Sequence, residues 1–203
     1  MNLTEKSAEK GQNWIFWLIV AVGALPMVAA WYFYSHPDLL TKRGNQGNLI
    51  TPPIPVNYDV FKPASLQGVS PLKQIKGRWV MIHVIPGDCD RACKENIANT
   101  RKLLLLFSKD LFRVKRLAVW SRDVDLSKQI KQMLAKDETL YLAQVPSSFL
   151  KQLEKEVIHT PLRGDQLILM DPLGNLMMWY DSGFDPYGVY RDMRRLLRAS
   201  RIG

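Results

Sequence analysis

At 203 residues the chain holds one ordinary domain plus an appendage. Its 47% hydrophobic and 23% charged content is that of a folded protein and excludes a disordered or low-complexity chain. A net charge of +9 suits anionic headgroups or an acidic partner; no zinc-finger or RNA-recognition signature accompanies it, so nucleic acid is set aside.

Trp14 through Tyr34 carries no charged residue and is long enough to cross roughly 30 Å of hydrocarbon as a helix. Trp14 and Trp17 at one end, with Trp31, Tyr32 and Tyr34 at the other, form two interfacial aromatic belts. Pro26 is tolerable inside such a span. A signal peptide cleaved after Val28-Ala29-Ala30 is the competing reading, but the aromatic cluster that follows and the length of the run favour a retained anchor. The flanking charges nearly balance, with Lys6 and Lys10 before the span and Lys42 and Arg43 after it. An N-terminus in the cytoplasm and a domain outside is the orientation in which a lone cysteine pair is most useful. The expected division is a cytoplasmic tail over 1–13, a transmembrane helix over 14–34, a linker and irregular approach over 35–75, and a domain over 76–203.

Residues 35–75 are rich in breakers, among them Pro37, Gly44, Pro52-Pro53, Pro55 and Pro63, though Leu49 through Val56 is apolar enough to pack along the fold. From Gly77 onward short strands and helices alternate. Trp79–Ile85 reads as a buried strand, 94–110 as a helix with Ile97, Leu104 and Phe107 on one stripe, and Val114–Trp120 as a second strand. Asp123 opens a helical stretch over 126–136, Leu140-Tyr141-Leu142 is a short strand, and Ser147-Ser148 can cap a helix to about Glu156. Gln166–Met170 and Leu176–Tyr180 flank the hairpin turn Asp171-Pro172-Leu173-Gly174-Asn175. A last helix over 186–200 has Val189, Met193, Leu196 and Leu197 as its apolar face.

The chain has two cysteines, Cys89 and Cys93, in the turn Pro86-Gly87-Asp88-Cys89-Asp90-Arg91-Ala92-Cys93 between the first strand and the helix. Their spacing puts both sulfurs one helical turn apart at the exposed top of a sheet. Two such thiols can form a disulfide, exchange one with a partner, or grip a soft metal such as Cu(I). A purely structural disulfide here would close a very short loop and stabilise little. Arg91, Lys94 and the helix start favour thiolate, while Asp88 and Asp90 oppose it. His83 reads as a core histidine, Met170, Met177 and Met178 as strand packing, and Arg191, Arg194, Arg195, Arg198 and Arg201 as the solvated side of the last helix, with lipid headgroups or an acidic surface as the functional alternative. No Ser/His/Asp triad, metal-hydrolase motif, Walker loop or dinucleotide fingerprint is present in the sequence, which argues against hydrolase and nucleotide chemistry.

Strand–helix–strand–helix, then hairpin, then helix is the thioredoxin order: an α/β fold with a central mixed sheet flanked by helices. With Gly77-Arg78-Trp79, the Cys89-x3-Cys93 turn and Leu169-Met170-Asp171-Pro172-Leu173-Gly174-Asn175, residues 49–203 resemble the Sco/SenC family of membrane-anchored cytochrome c oxidase assembly factors. More closely, the turn, the hairpin and the basic Leu196-Leu197-Arg198-Ala199-Ser200 end resemble a divergent proteobacterial group associated with the same process. The resemblance implies a copper accessory protein that holds Cu(I) through Cys89 and Cys93, with His159 as a candidate third ligand. It also implies a single-pass protein of the bacterial inner membrane with a periplasmic domain, and a terminal oxidase subunit or its assembly factors as partner. Two alternatives stay open: a thiol–disulfide oxidoreductase with Cys89 attacking and Cys93 resolving, which keeps the oxidase's copper-site cysteines reduced, or a non-catalytic docking protein with a structural disulfide.

Overall fold

The computed structural model describes residues 8–36, 44–64, 66, 71–200 and 202. Most of the tail expected over 1–13, the flanking charges Lys6, Lys42 and Arg43, and Arg201 lie outside them. The chain divides into two units, Met1–Gly44 and Asn45–Gly203.

In the first unit α1 runs from Ala8 to Ser35 with Pro26 inside it. Its stretch Trp14–Ser35 has a mean hydropathy of 2.0 and none of it is buried, so it is long and apolar enough to cross a membrane. An apolar surface with no protein to cover it is what a hydrocarbon surround requires. At its end His36 Nδ1 lies 3.0 Å from the Tyr32 carbonyl, and the two rings stack.

The second unit is a seven-stranded mixed sheet: β1 (Asn48–Pro55), β2 (Lys62–Pro63), β3 (Trp79–Val84), β4 (Val114–Ser121), β5 (Leu140–Val145), β6 (Leu167–Met170) and β7 (Asn175–Tyr180), in spatial order β1-β7-β6-β3-β4-β5-β2. All six residues of β3 are buried, as a strand in mid-sheet with both faces covered demands. β3, β4 and β5 run parallel, so helices must return the chain between them: α2 (Arg91–Leu106) and α3 (Lys128–Ala135). α4 (Ser147–Gln152) follows β5 and continues into a π-helical turn over Leu153–Ile158. β6 and β7 form the expected hairpin against β3. In its turn Asp171 Oδ1 accepts from the backbone N–H of Leu173 and Asn175, at 2.9 and 2.8 Å, and Gly174 supplies φ +93°. α5 (Pro186–Ala199) starts on the cap Asp185 and buries Val189, Met193 and Leu197, the face read from its periodicity.

The segment 35–75, expected as tether and irregular approach, carries a sheet strand. β1 pairs antiparallel with β7 at the sheet edge, with its register broken between Leu49 and Ile54, where Thr51-Pro52-Pro53 intervene. Prolines lack the N–H for a ladder bond and survive at an edge, which is why breaker content misled the sequence reading. The chain enters this unit through Gln46 and Gly47, whose backbone N–H groups donate to Asp192 Oδ2 of α5 at 2.7 and 3.0 Å. Tyr180 donates its hydroxyl to the same oxygen at 3.0 Å, and burial beside that carboxylate raises the phenol's pKa.

Three further boundaries differ from expectation. α2 begins at Arg91 rather than Lys94, because Asp90 caps it by accepting from Cys93 N at 2.9 Å. α3 is capped by Ser127, not Asp123, which instead turns back on the Ser121 hydroxyl. Pro146, not a serine, stands at the N-cap of α4.

One face of the sheet is a single apolar cluster, with Val80, Ile82, Leu117, Val119 and Ile168 packed against Phe149, Leu153 and Val157. The other face holds two. One joins Met81, Leu167, Leu169 and Met178 to α2 and α5; Met178 here and Met170 in the cluster on the first face are core residues in strands, as expected. The other joins Ile85, Ala118 and Trp120 to both cysteines, Ile97 and α3.

Candidate functional site

Cys89 and Cys93 form a disulfide with Cα atoms 5.2 Å apart. β3 delivers the chain to this point. Ile85 N still donates to Val119 O at 2.8 Å, and Pro86-Gly87 then end the ladder. Asp88 Oδ1 accepts from Cys89 N at 2.8 Å, and the Asp90 cap sets Cys93 inside the first turn of α2. Both aspartates thus use their carboxylates on the backbone of the motif. The bonded pair thus straddles the start of α2, with Cys89 just before the cap and Cys93 in the first turn.

The expectation of outward-facing sulfurs is not met. Cys89 is 1% and Cys93 0% exposed, packed among Ile85, Ala118, Trp120 and Ile97. Their cover is the loop 161–166, whose Gly164 (φ +89°) lies so close that a Cβ there would stand 3.5 Å from Cys93 Cβ and 3.2 Å from Pro86 Cδ. Three anchors hold the loop. Glu154 Oε1 accepts from Leu162 N at 2.9 Å, and Ser182 Oγ donates to Asp165 Oδ1 at 2.7 Å. Asn96 Nδ2 of α2 donates to Asp165 O at 2.8 Å. The buried Gln166 side chain ties the loop internally, accepting from Arg163 N and donating to Pro161 O. A partner atom that approaches Cys93 from the side of this loop meets Gly164 first. Gly164→Ala is expected to cost about 1–2 kcal/mol, since it adds a left-handed residue to a contact with no slack. Thermal unfolding of the detergent-solubilised protein measures this, and an unchanged midpoint would contradict it.

His159 ends the π-helical turn in a left-handed conformation (φ 57°) and is exposed. Among the described residues no three His, Cys, Asp or Glu side chains come together as a group able to hold a metal, so the structure does not gather His159 with the two sulfurs. The donor set at hand is two sulfurs, which when reduced suit a soft ion in low coordination.

His83 is a core histidine, fully buried, with Nε2 2.9 Å from Thr100 Oγ1. Sequence reasoning missed the rest of this seam between the two clusters on the α2 face. Arg116 of β4, 0% exposed, donates from Nε to Thr100 Oγ1 at 3.1 Å, from Nη2 to Ile97 O at 2.5 Å, and from Nη1 to Asp137 Oδ2 at 2.8 Å and Thr139 Oγ1 at 2.9 Å. Burial alone would raise the Asp137 carboxyl, but hydrogen bonds from Arg116 and Thr139 outweigh it and hold the group below the usual carboxylate range. The seam fixes α2, and hence Cys93, to the strands beneath. A basic residue inside an otherwise apolar strand, and Asn96 and Thr100 at i, i+4 on the helix's apolar stripe, were the available signals.

A family model described as transmembrane-like, thioredoxin-like, C-terminal domain matches residues 79–200. No curated protein matches the sequence. Among solved structures, apo Sco1 from Thermus thermophilus is similar at 13% identity over 77% of this chain and 99% of that one, with a TM-score of 0.53. Yeast Sco1 is similar at 16% identity, covering 63% and 84%, with a TM-score of 0.49. A SCO1/SenC family lipoprotein from Bacillus anthracis is similar at 21% identity, covering 62% and 84%, with a TM-score of 0.45. The first of these likenesses carries the fold, which is thioredoxin-like as expected. Since the family model covers more than half of the chain, the protein belongs to the family of transmembrane-like, thioredoxin-like proteins through this C-terminal domain.

Proposed function

We propose that the protein is a membrane-anchored accessory factor of cytochrome c oxidase assembly whose Cys89–Cys93 pair is the working centre, carrying Cu(I) when reduced. The observation that carries this reading is the pair itself: two sulfurs bonded at the start of α2, directly beyond the end of a central strand. Reduced, they offer two thiolate donors to Cu(I), which a partner's cysteines can take by ligand exchange. His159 joins them as third ligand only if the chain from Ile158 to Gln166 rearranges, the same movement that uncovers the sulfurs. Residues 14–34 anchor the protein in a bacterial inner membrane, 35–75 approach the domain, and the domain over 76–203, extended by β1 and β2, works on the periplasmic side.

The bonded state of the sulfurs favours a second reading, thiol–disulfide exchange with the copper-site cysteines of an oxidase subunit. In the reducing direction the Cys89 thiolate attacks the partner disulfide. Cys93 then displaces the partner thiol, and two electrons pass to the partner as the disulfide seen here re-forms.

Anaerobic titration of the reduced full-length protein with Cu(I) separates the two. The expected result is one Cu(I) per chain, abolished by Cys89→Ser/Cys93→Ser. Equal uptake by the double variant would end the copper reading. A trapped mixed disulfide in Cys93→Ser would establish exchange.

A further inference from the structure

Beside the covered disulfide lies a second feature with its own chemistry. A pocket of about 110 Å³ opens between α2, the loop 161–166 and the β7–α5 connection, lined by Glu95, Asn96, Asn99, Asp165, Gly183 and Phe184, with Ala92 at its edge. Two of these side chains are carboxylates and none is cationic, in a chain whose net charge is +9. Asn96 is only 5% exposed, and its Nδ2 is committed to the carbonyls of Asp165 and Gln166, at 2.8 and 3.4 Å. Its Oδ1 is then a buried acceptor with no partner. Such an oxygen costs about 1–3 kcal/mol while unmet, which a donor that reaches it would recover. Asp165 Oδ1 already accepts from Ser182, and Glu95 is paired with Arg91 at the surface, 2.7 Å apart and both exposed, a pairing of little energy that another cation can replace. The ring of Phe184 adds a wall that a flat cation can stack on.

The pocket also borders the working centre through two chain neighbours. Ala92 precedes Cys93, and Asp165 follows Gly164, the residue that covers it. A group seated here draws on the same Asn96 amide that ties down the cover.

From these features we infer that the pocket is a recognition site for an arginine side chain of the partner polypeptide, seated next to the disulfide that the same partner engages. The guanidinium meets the Asp165 and Glu95 carboxylates and, as the loop 161–166 yields, supplies the N–H that the sealed Asn96 Oδ1 lacks. This deepens the proposed function and rests on its premise that a polypeptide approaches Cys89 and Cys93.

The test uses the full-length oxidised protein in detergent micelles, titrated with N-acetyl-arginine amide and, in parallel, with the neutral isostere N-acetyl-citrulline amide, following the Asn96 side-chain amide by NMR. The arginine compound is expected to shift that resonance saturably and to bind about fivefold tighter than citrulline, an advantage lost in Asp165→Asn, which keeps the acceptor for Ser182, and in Glu95→Gln. Arg191→Gln, on α5, should leave it unchanged. Equal affinity for the two compounds, no shift, or an unaltered Asp165→Asn would overturn the inference. Thiol exchange with a cysteine peptide carrying arginine, against one carrying citrulline, separates this from the parent reading. Binding of arginine amide with no exchange by either peptide sinks the working centre and leaves the pocket assignment standing. Equal exchange rates without arginine binding do the reverse.

Discussion

Asp137→Ala should lower the unfolding free energy by about 3–5 kcal/mol, among the largest losses any single surface-adjacent change in this domain can cause. Asp137 is 6% exposed and lies just beyond α3, yet its partner Arg116 is in mid-sheet with no exposure at all. Removing the carboxylate leaves a guanidinium sealed between two apolar clusters. Its remaining bonds go to Thr100, Thr139 and a carbonyl, none of which carries charge. Arg101 Nε lies 3.8 Å from the Asp137 carboxylate, so a second cation faces the vacated position. Because the loss is that of an uncompensated charge rather than of the pair's net worth, Arg116→Met/Asp137→Leu should recover most of it. Chemical denaturation of the three proteins decides: a double variant as unstable as Asp137→Ala would show that the seam contributes through its hydrogen bonds instead.

How far the sequence foretold this arrangement depends on how local each signal was. The buried strand before the cysteines, the Asp171–Asn175 turn and the apolar face of α5 depend on neighbours a few positions away, and all three are where the pattern put them. The Arg116–Asp137 pair joins residues 21 positions apart, and Asn96 reaches a loop 69 positions downstream. No periodicity announces such contacts. The cover over the sulfurs belongs to the same class. Pro161 and Gly164 are legible as chain breakers, but that Gly164 folds back onto Cys93 is decided by Glu154, Asn96 and Ser182, from three separate elements. β1 failed for the opposite reason: its prolines are a strong local signal that the edge of a sheet overrides.

These non-local contacts also divide the site into a fixed and a releasable half. α2 is tied to the sheet by charged and buried bonds through Thr100 and Arg116, which few conditions short of unfolding would break. The loop 161–166 is held by a few part-buried hydrogen bonds, two of them to the Glu154 and Asp165 carboxylates, each worth about 1–3 kcal/mol. Access to the disulfide by loop movement therefore costs less than access by helix movement, which would strip the buried Arg116 guanidinium of its partners on α2. If a partner engages the disulfide, the expected movement is that of Gly164, with Cys93 kept in register.

Acid should expose the other weakness of the seam, at His83. Burial first and the neighbouring Arg116 second push its pKa down to about 3, with Asp137 opposing, so the folded protein keeps this imidazole neutral. In the unfolded chain it titrates near the ordinary value of about 6.5. Above that pH neither state binds the proton and stability is full. Below it the unfolded state takes up a proton that the folded state refuses, and stability falls by about 1.4 kcal/mol per pH unit until the folded pKa is reached. Between pH 6.5 and 5 the loss is about 2 kcal/mol. Asp137 is depressed in the folded state too, but its contribution persists above the ordinary carboxylate pKa of about 3.9 and is lost only below it, so the two windows separate. His83→Leu keeps Thr100 bonded to Arg116 and to the Asn96 and Ile97 carbonyls while removing the titrating ring. Urea denaturation at steps from pH 7 to pH 4.5 should give the wild type the steeper decline and the variant a nearly level course to about pH 5. Parallel slopes would mean that His83 is protonated in the folded protein and that the seam is wetter than its geometry requires.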